Sequence, residues 1–231
     1  MTNYLVQIDS QMIKADDINN AWRDLLWCCA RKGYTTIVNK GSYEGQQRKQ
    51  LDYVVVIIQT PYQRPLAPIM PEGTGIPSPT SESKIHKYFF DYLITDKNDT
   101  EQYTYGHYIA PQINKIIDIL NQSDGKTNQA CITIGDKNSI KLIDPPCLKV
   151  IDFKIVHKWL EMHVYFRSWD IFAGFPENIG GLQLLKEYIL MHLNLSYEIS
   201  DGAIYAYSSG AHIYEQYFPL VNQLNVNDII L

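Results

Sequence analysis

The chain has 231 residues, of which 45% are hydrophobic and 19% charged, with a formal net charge of -5. This length suits one large domain, and we expect residues 1–231 to form it. The acidic balance argues against a general electrostatic attraction to nucleic acid, so we expect no DNA partner. Residues 1–10 lack a signal pattern, and no apolar run approaches membrane-spanning length, so we expect no membrane partner.

The cysteines and histidines predict neither a disulfide framework nor a metal centre. There is no C-x-x-C motif, and the adjacent pair Cys28 and Cys29 falls inside a helical pattern. We therefore expect reduced thiols in a cytoplasmic protein. The six histidines show no H-x-E or H-E-x-x-H pattern, so no metal site is predicted. Neither a P-loop nor a G-x-G-x-x-G motif occurs.

Hydrophobic periodicity in the first half of the chain predicts helices around one buried strand. The run at residues 53–59 is continuously apolar and β-branched, as in a strand buried on both faces. Residues 61–79 contain six prolines and two glycines, which predicts a long irregular loop within one core. The other predicted elements are helices at 16–31, 85–94 and 109–121, a strand at 35–38, and a polar loop at 40–48.

The second half predicts a sheet with one long helix. Alternating patterns at 150–156 and 159–166, separated by His157 and Lys158, predict a hairpin. The period of two places Arg167 on the face opposite the apolar side chains. The remaining predicted elements are strands at 130–134, 203–208 and around His212, and an apolar helix at 181–193.

Cys147 and Arg167 suggest a reactive thiol. Two prolines precede Cys147, which fixes the local backbone and removes two amide donors, an unusual setting for a cysteine that only fills space. Arg167 follows the predicted hairpin. A guanidinium beside a thiol can bind a phosphate and also favour the thiolate.

Four motifs in this region resemble thymidylate synthases and the related pyrimidine nucleotide hydroxymethylases. The resemblance is closest to the compact archaeal-type branch of thymidylate synthases. Upstream, Tyr105-Gly106 is similar to a tyrosine-glycine pair of that family. The four motifs are Pro145-Pro146-Cys147, the segment from Tyr165 to Asp170, the segment from Gly174 to Ile179, and the segment from Ala211 to Tyr214.

The resemblance implies an α/β (α+β three-layer) fold, with a large mixed β-sheet flanked by helices, and a homodimer. It also implies a methyltransferase-type enzyme that moves a one-carbon unit from 5,10-methylenetetrahydrofolate to C5 of a pyrimidine nucleoside 5′-monophosphate. The first expectation is dUMP to dTMP. A 5-hydroxymethylase acting on (d)CMP or dUMP and a non-catalytic nucleotide-binding relative remain alternatives, and a cysteine hydrolase is a more distant one.

The resemblance also assigns roles to individual residues. Cys147 would add to C6 of the base, and Arg167 and Ser168 would bind the phosphate. The other implied roles are base reading by Asn178, sugar binding by His212 and Tyr214, folate binding by Asp170, and proton transfer by Tyr105. An amide both donates and accepts, so Asn178 can pair with N3–H and O4 of uracil. Hydroxymethylases that use cytosine can carry aspartate at this position, so the resemblance favours uracil.

The sequence departs from the family pattern at several positions. Leu148 and Phe166 stand where many synthases have histidine and glutamine. Residues 127–129 offer a threonine and two amides where two arginines would cross the dimer interface to the phosphate. Arg48 is therefore the candidate for a second phosphate-binding arginine. Glu82 and Asp91 are the candidates for the family's active-site glutamate, and Leu231 is the candidate for closure over folate.

Overall fold

The computed structural model describes residues 11–96 and 103–227, which build two sheets packed with five helices. The strands are β1 Gln11–Ala15, β2 Tyr34–Ile37, β3 Gln47–Leu51, β4 Val54–Ile58, β5 Cys131–Thr133, β6 Leu148–Val156, β7 Trp159–Phe166, β8 Trp169–Asp170, β9 Ser200–Ser208 and β10 Ala211–Tyr214. The helices are α1 Ile18–Lys32, α2 Glu82–Tyr88, α3 Tyr105–Gln122, α4 Gly174–Met191 and α5 Phe218–Asn227.

The larger sheet is mixed, as predicted, with six strands in the order β1-β4-β9-β7-β6-β5. Along β7, Leu160, Met162 and Val164 are buried, while Glu161 and His163 on the other face are half-buried. The predicted β6–β7 hairpin turns at His157 and Lys158, which both adopt positive φ, at 52° and 70°. Two consecutive residues with positive φ suit the right-handed twist of paired strands.

Helix α4 is apolar on nearly all sides because it lies inside the molecule. It contacts α1, α2 and strands β7, β8 and β9. The fully buried Lys186 on this helix has its Nζ 2.7 Å from Asp201 Oδ1 and also donates to the carbonyl of Gly202. A buried cation needs such partners.

The smaller sheet has the order β2-β3-β10-β8 and carries several candidate site residues. Strand β10 is antiparallel to β3, with Tyr214 opposite Arg48, and parallel to β8, with His212 opposite Asp170. These four residues, which come from three segments far apart in sequence, thus share one sheet. Arg48 lies in a strand and not in the polar loop where the sequence placed it, because residues 47–51 pair with β2 and β10.

Several element boundaries differ from the predicted ones. Helix α3 begins at Tyr105, where the Thr104 side chain accepts from His107 N. Helix α4 begins at Gly174, seven residues before the predicted start. The predicted helix at 85–94 is α2 followed by a π-helical turn, Phe89–Leu93, and the sequence reasoning missed β1. Residues 1–10 and Leu231 lie outside the described residues. Within 11–96 and 103–227, the helices are too short or too polar to cross a bilayer.

Candidate active site

Cys147 and Arg167 lie opposite each other at one end of the β6–β7 pair. The Arg167 amide donates to the Cys147 carbonyl at 2.9 Å. The Arg167 guanidinium donates through Nε to the Pro146 carbonyl at 3.1 Å and through Nη2 to the Pro145 carbonyl. The carbonyls of the two prolines thus anchor the arginine beside the partly buried thiol.

The charges around Cys147 act in opposite directions. Burial is the largest influence and raises the pKa of the Cys147 thiol above its ordinary value. The Arg167 cation lowers this pKa, Asp144 raises it, and Lys149 lowers it. Arg167 therefore acts in the predicted direction, but burial outweighs it because an ionised sulfur loses hydration there. Lys149 is a second cation beside the thiol, and the sequence reasoning did not single it out.

Tyr105 lies beside the same thiol. Its hydroxyl accepts from the Leu148 amide at 3.2 Å, and burial followed by the Cys147 charge raises the pKa of Tyr105. A Cβ on Gly106 would lie 1.9 Å from the Thr95 carbonyl oxygen, so only glycine permits this approach. The tyrosine-glycine pair thus has a packing explanation: the glycine lets the helix that carries Tyr105 pack against the Thr95 backbone.

Asn178 lies inside the first turns of α4, where both ends of its amide are hydrogen-bonded. Its Oδ1 accepts from Trp169 Nε1 at 3.1 Å, and its Nδ2 donates to the Tyr88 hydroxyl at 2.9 Å. The two candidates for the family's active-site glutamate have other hydrogen-bond or ion-pair partners. Glu82 accepts from the Ala67 amide, and the exposed Asp91 pairs with Lys87.

Asp170 is the last residue of β8, and its carboxylate is hydrogen-bonded to the backbone that follows it. It accepts from the Phe172 amide at 3.0 Å and from the Ala173 amide at 3.4 Å. Burial raises the pKa of Asp170 to about 6, although these amides act in the opposite direction. Asp170 in turn raises the pKa of Tyr214, after the larger effect of burial, so the two side chains lie in one electrostatic neighbourhood.

His212 presents an unpaired nitrogen beside two other candidates. Its Nδ1 lies 2.9 Å from the Gly210 carbonyl, which only accepts, so Nδ1 carries the proton. Nε2 is then an acceptor, and it is buried with no hydrogen-bond partner among the described residues. Burial lowers the pKa of His212 to about 4, and the nearby Arg48 also lowers it. Arg48 Nε is likewise buried and unpaired within the described part of the chain.

The loop between β2 and β3 connects these groups. The ring of Tyr43 stacks on Tyr214 with centroids 4.0 Å apart, and Ser42 donates to Asp144. Charge effects on the pKa of Tyr214 come from Asp170, Tyr43, Arg48 and Cys147, after burial. The structure therefore brings Cys147, Arg167, Tyr105, Asp170, His212, Tyr214 and Arg48 into one region.

Comparisons with known proteins identify the family of the chain. A family model described as thymidylate synthase matches residues 94–227. The chain belongs to the thymidylate synthase family. A protein of Methanococcoides burtonii named "Putative thymidylate synthase" is 27% identical over 216 residues, covering 89% of this chain and 90% of that protein. A protein of the same name from Methanosarcina mazei is 25% identical over 226 residues, covering 93% and 94%.

The fold of this thymidylate synthase family member is similar to that of a solved enzyme, thermostable thymidylate synthase A from Bacillus subtilis. The TM-score is 0.65 at 12% sequence identity, with 90% of this chain and 84% of that chain covered. At this identity the likeness concerns the fold alone. It agrees with the expected mixed sheet flanked by helices.

Some residues considered in the sequence analysis are not shown in contact with Cys147 and the residues around it. Asn128 and Gln129 are exposed just before β5, at the edge of the larger sheet, where the Gln129 amide donates to Thr127. Ser168 is half-buried directly after Arg167. Sequence reasoning gave no role to four residues of this region, Tyr88, Trp169, Tyr43 and Lys149. Trp169 lies inside the Tyr165–Asp170 motif, but the partner of its indole N–H is set by packing. Across the described residues, no cluster of three or more possible metal ligands occurs.

Proposed function

We propose that this member of the thymidylate synthase family converts dUMP to dTMP. The observation that carries the proposal is the partly buried Cys147 thiol opposite Arg167, whose guanidinium is anchored on the Pro145 and Pro146 carbonyls. A cysteine is both a strong nucleophile and a competent leaving group, which a reversible bond to a pyrimidine ring requires. Cys147 Sγ forms a bond to C6 of the base, and the electron pair displaced from the ring double bond makes C5 nucleophilic.

Cationic side chains would bind the phosphate and favour the thiolate. Arg167 and Lys149 both lower the pKa of Cys147, so each stabilises negative charge at this end of the sheet. Ser168 adds a hydroxyl donor, and the buried, unpaired Nε of Arg48 is available as a further donor. Charge-assisted hydrogen bonds of this type are stronger than neutral ones.

The sugar and the base would be bound by side chains whose hydrogen-bond donors and acceptors are defined by their other contacts. Neutral His212 offers Nε2 as an acceptor for the 3′-hydroxyl, and Tyr214 lies next to it with ring centroids 4.6 Å apart. Asn178 keeps one carbonyl lone pair and one N–H beyond its two observed hydrogen bonds. These suit N3–H and O4 of uracil. Tyr105, beside the thiol, is placed to hold or move a proton near C5.

The folate cosubstrate would meet Asp170. 5,10-Methylenetetrahydrofolate supplies the one-carbon unit and, in the methylating reaction, the hydride. A carboxylate whose pKa is about 6 can accept hydrogen bonds from the pterin N–H groups when ionised, and ligand donors would offset its desolvation. Tyr43 and Tyr217 provide aromatic surface nearby. Burial, and after it the charge of Asp170, raises the pKa of both tyrosines.

We also propose that the protein is a homodimer in the cytoplasm. The outward face of the larger sheet carries partly exposed aromatic and apolar side chains, among them Met12, Trp159 and Tyr165 at 61%, 46% and 38% exposure. Such a face suits a second copy of the chain. The cytoplasmic assignment is supported by the four cysteines, all within the described residues and none in a disulfide, which suits a reducing compartment.

One experiment tests the reaction directly. Purified protein is incubated with C5-tritiated dUMP and methylenetetrahydrofolate, and we expect tritium release with formation of dTMP and dihydrofolate. Cys147→Ala is expected to abolish release, and Cys28→Ala, on α1, is the matched thiol control that keeps it. Release that persists in Cys147→Ala contradicts the nucleophile assignment.

Product mass separates the alternatives. A 5-hydroxymethyl product without dihydrofolate identifies the hydroxymethylase. The observations that favour a non-catalytic relative are the raised pKa of Cys147, the amides at residues 128 and 129 where two arginines would be, and Leu148. Nucleotide binding without tritium release identifies that case.

A further inference from the structure

The orientation of the Asn178 amide is set by two aromatic side chains with different hydrogen-bonding capacity. Trp169 Nε1 donates to Oδ1, and Tyr88 Oη accepts from Nδ2. An indole nitrogen can only donate, whereas a phenol can donate or accept. If the amide rotated by 180°, its NH₂ group would face the Trp169 N–H, donor against donor. The Tyr88 hydroxyl would adapt to either orientation, so of these two partners only Trp169 opposes the rotation.

The Trp169 side chain is itself held firmly. It is 2% exposed, and its ring stacks on Phe166 with centroids 4.3 Å apart and an interplanar angle of 4°. Phe175 lies on it as well, at 4.7 Å. The indole N–H therefore cannot turn away from Asn178 without disturbing the core. Burial also raises the cost of leaving the carbonyl or the N–H unpaired.

The fixed amide matches one pyrimidine and mismatches the other. Uracil presents a donor at N3 and an acceptor at O4, while cytosine presents an acceptor at N3 and a donor at N4. A rotated amide would suit cytosine. We propose that Trp169 is a specificity-determining positioning residue, whose indole N–H locks the Asn178 amide in the orientation that accepts uracil and rejects cytosine. This inference rests on the proposed function, since it takes Asn178 as the group that reads the base.

The test compares variants at the two partners of the amide. Trp169→Phe removes the donor and leaves a ring against Phe166, so the amide can rotate. Trp169→Tyr keeps an aromatic ring with a polar group but replaces a donor-only group by one that also accepts, which removes the same restriction. Tyr88→Phe is the matched control, because it deletes one hydrogen bond of the same amide and leaves the lock intact.

The measured quantity is the ratio of kcat/KM for dUMP to kcat/KM for dCMP. Turnover of each nucleotide is assayed by tritium release from C5. This ratio does not depend on the fraction of folded enzyme, so a poorly folding variant remains informative. We expect the ratio to fall at least about 10-fold in both Trp169 variants, because paired groups in a site discriminate strongly against the mismatched base. In Tyr88→Phe we expect both kcat/KM values to fall about 5-fold or more, with the ratio kept within about 3-fold.

The outcomes separate this inference from the function on which it rests. If the unaltered enzyme turns over dUMP and a Trp169 variant keeps the parent ratio, the lock is refuted and the function stands. A fall in the ratio for Tyr88→Phe equal to that for Trp169→Phe also refutes it, as does an unaltered enzyme that prefers dCMP. If no nucleotide is turned over, the proposed function fails, and the ratio of dissociation constants for the two nucleotides then tests the lock by the same criteria.

Discussion

At the scale of single residues, the reactivity of Cys147 depends on three charges with opposite effects. Burial raises the pKa of the thiol, Arg167 and Lys149 lower it, and Asp144 raises it. The Pro145 and Pro146 carbonyls hold the guanidinium in place. An arginine fixed in this way cannot move away when the sulfur ionises, so its effect on the thiol is built into the backbone.

The pH dependence of thiol alkylation should report these three effects separately. Arg167→Met is expected to move the alkylation profile of Cys147 to higher pH, and Lys149→Met to move it in the same direction by less. Asp144→Asn is expected to move it to lower pH, because an anion that opposes ionisation is lost. Mass spectrometry of the modified Cys147 peptide gives the rates. Identical profiles in all three variants would contradict this account.

We expect the Asp170 carboxylate to lower the free energy of unfolding and to be needed for folate-dependent turnover. Its pKa is raised to about 6 by burial, so the folded protein holds the proton more tightly than the unfolded chain. The resulting penalty is absent below about pH 4, develops as the pH rises towards 6, and is complete above it. Asp170→Asn should therefore raise the free energy of unfolding at pH 7.5 by about 1–3 kcal/mol and change it little at pH 4.

Denaturant unfolding at the two pH values checks this difference. Folate-dependent turnover of the same variant should fall, since an amide donates where the carboxylate only accepts. Equal stabilisation at both pH values would show that the effect does not come from ionisation of Asp170.

At the scale of elements, glycines allow the helices to approach the site closely. A Cβ on Gly181 of α4 would lie 2.5 Å from the ring of Tyr88, and one on Gly180 would lie 2.9 Å from Ile85. Side chains of α2 therefore pack directly against the backbone of α4 at these two glycines. This packing places the Tyr88 hydroxyl on the Asn178 amide. The same principle applies at Gly106, which brings α3 against the Thr95 backbone.

A pair of glycine substitutions on α4 tests this packing. Gly181→Ala should lower the free energy of unfolding by about 1–3 kcal/mol, because the added methyl overlaps the Tyr88 ring. Gly174→Ala on the same helix is the control. Its Cβ would lie 3.4 Å from Asp170 Cβ, in ordinary contact, and little change in stability is expected. Chemical unfolding curves measure both variants, and equal losses in the two would argue against a role for the α2–α4 contact.

At the scale of the whole molecule, the two sheets divide the tasks. The smaller sheet brings Arg48, His212, Tyr214 and Asp170 together. The larger sheet carries Cys147 and Arg167 at the open end of the β6–β7 hairpin, away from the turn at His157 and Lys158. The other face of this sheet points outward. On that face Tyr207 is paired with Val55 on one side and Tyr165 on the other, and Tyr205 stacks on His163 with centroids 4.5 Å apart.

A charge on the outward face should prevent the proposed dimerisation. Tyr207→Glu places a carboxylate in the middle of the face, and we expect light scattering to show a monomer where the parent is a dimer. Glu44→Gln, in the exposed loop between β2 and β3, is the control and should stay dimeric. A parent that is monomeric at micromolar concentration, or a dimeric Tyr207→Glu variant, would contradict the assignment of this face.

Much of this protein could be predicted from the sequence because local patterns carry the information. Alternation specified the β6–β7 hairpin, and the motifs around Cys147, Arg167 and Asn178 indicated the family and its mixed sheet. The roles of individual site residues, and the single-domain assignment of residues 1–231, stay predictions. The pairing of the Arg48 strand with β10, the contact of Tyr88 with Asn178 and the stacking of Tyr43 on Tyr214 depended on the tertiary structure. Each is a contact between segments distant in the chain, and burial and hydrogen bonding there are set by packing, which no single segment encodes.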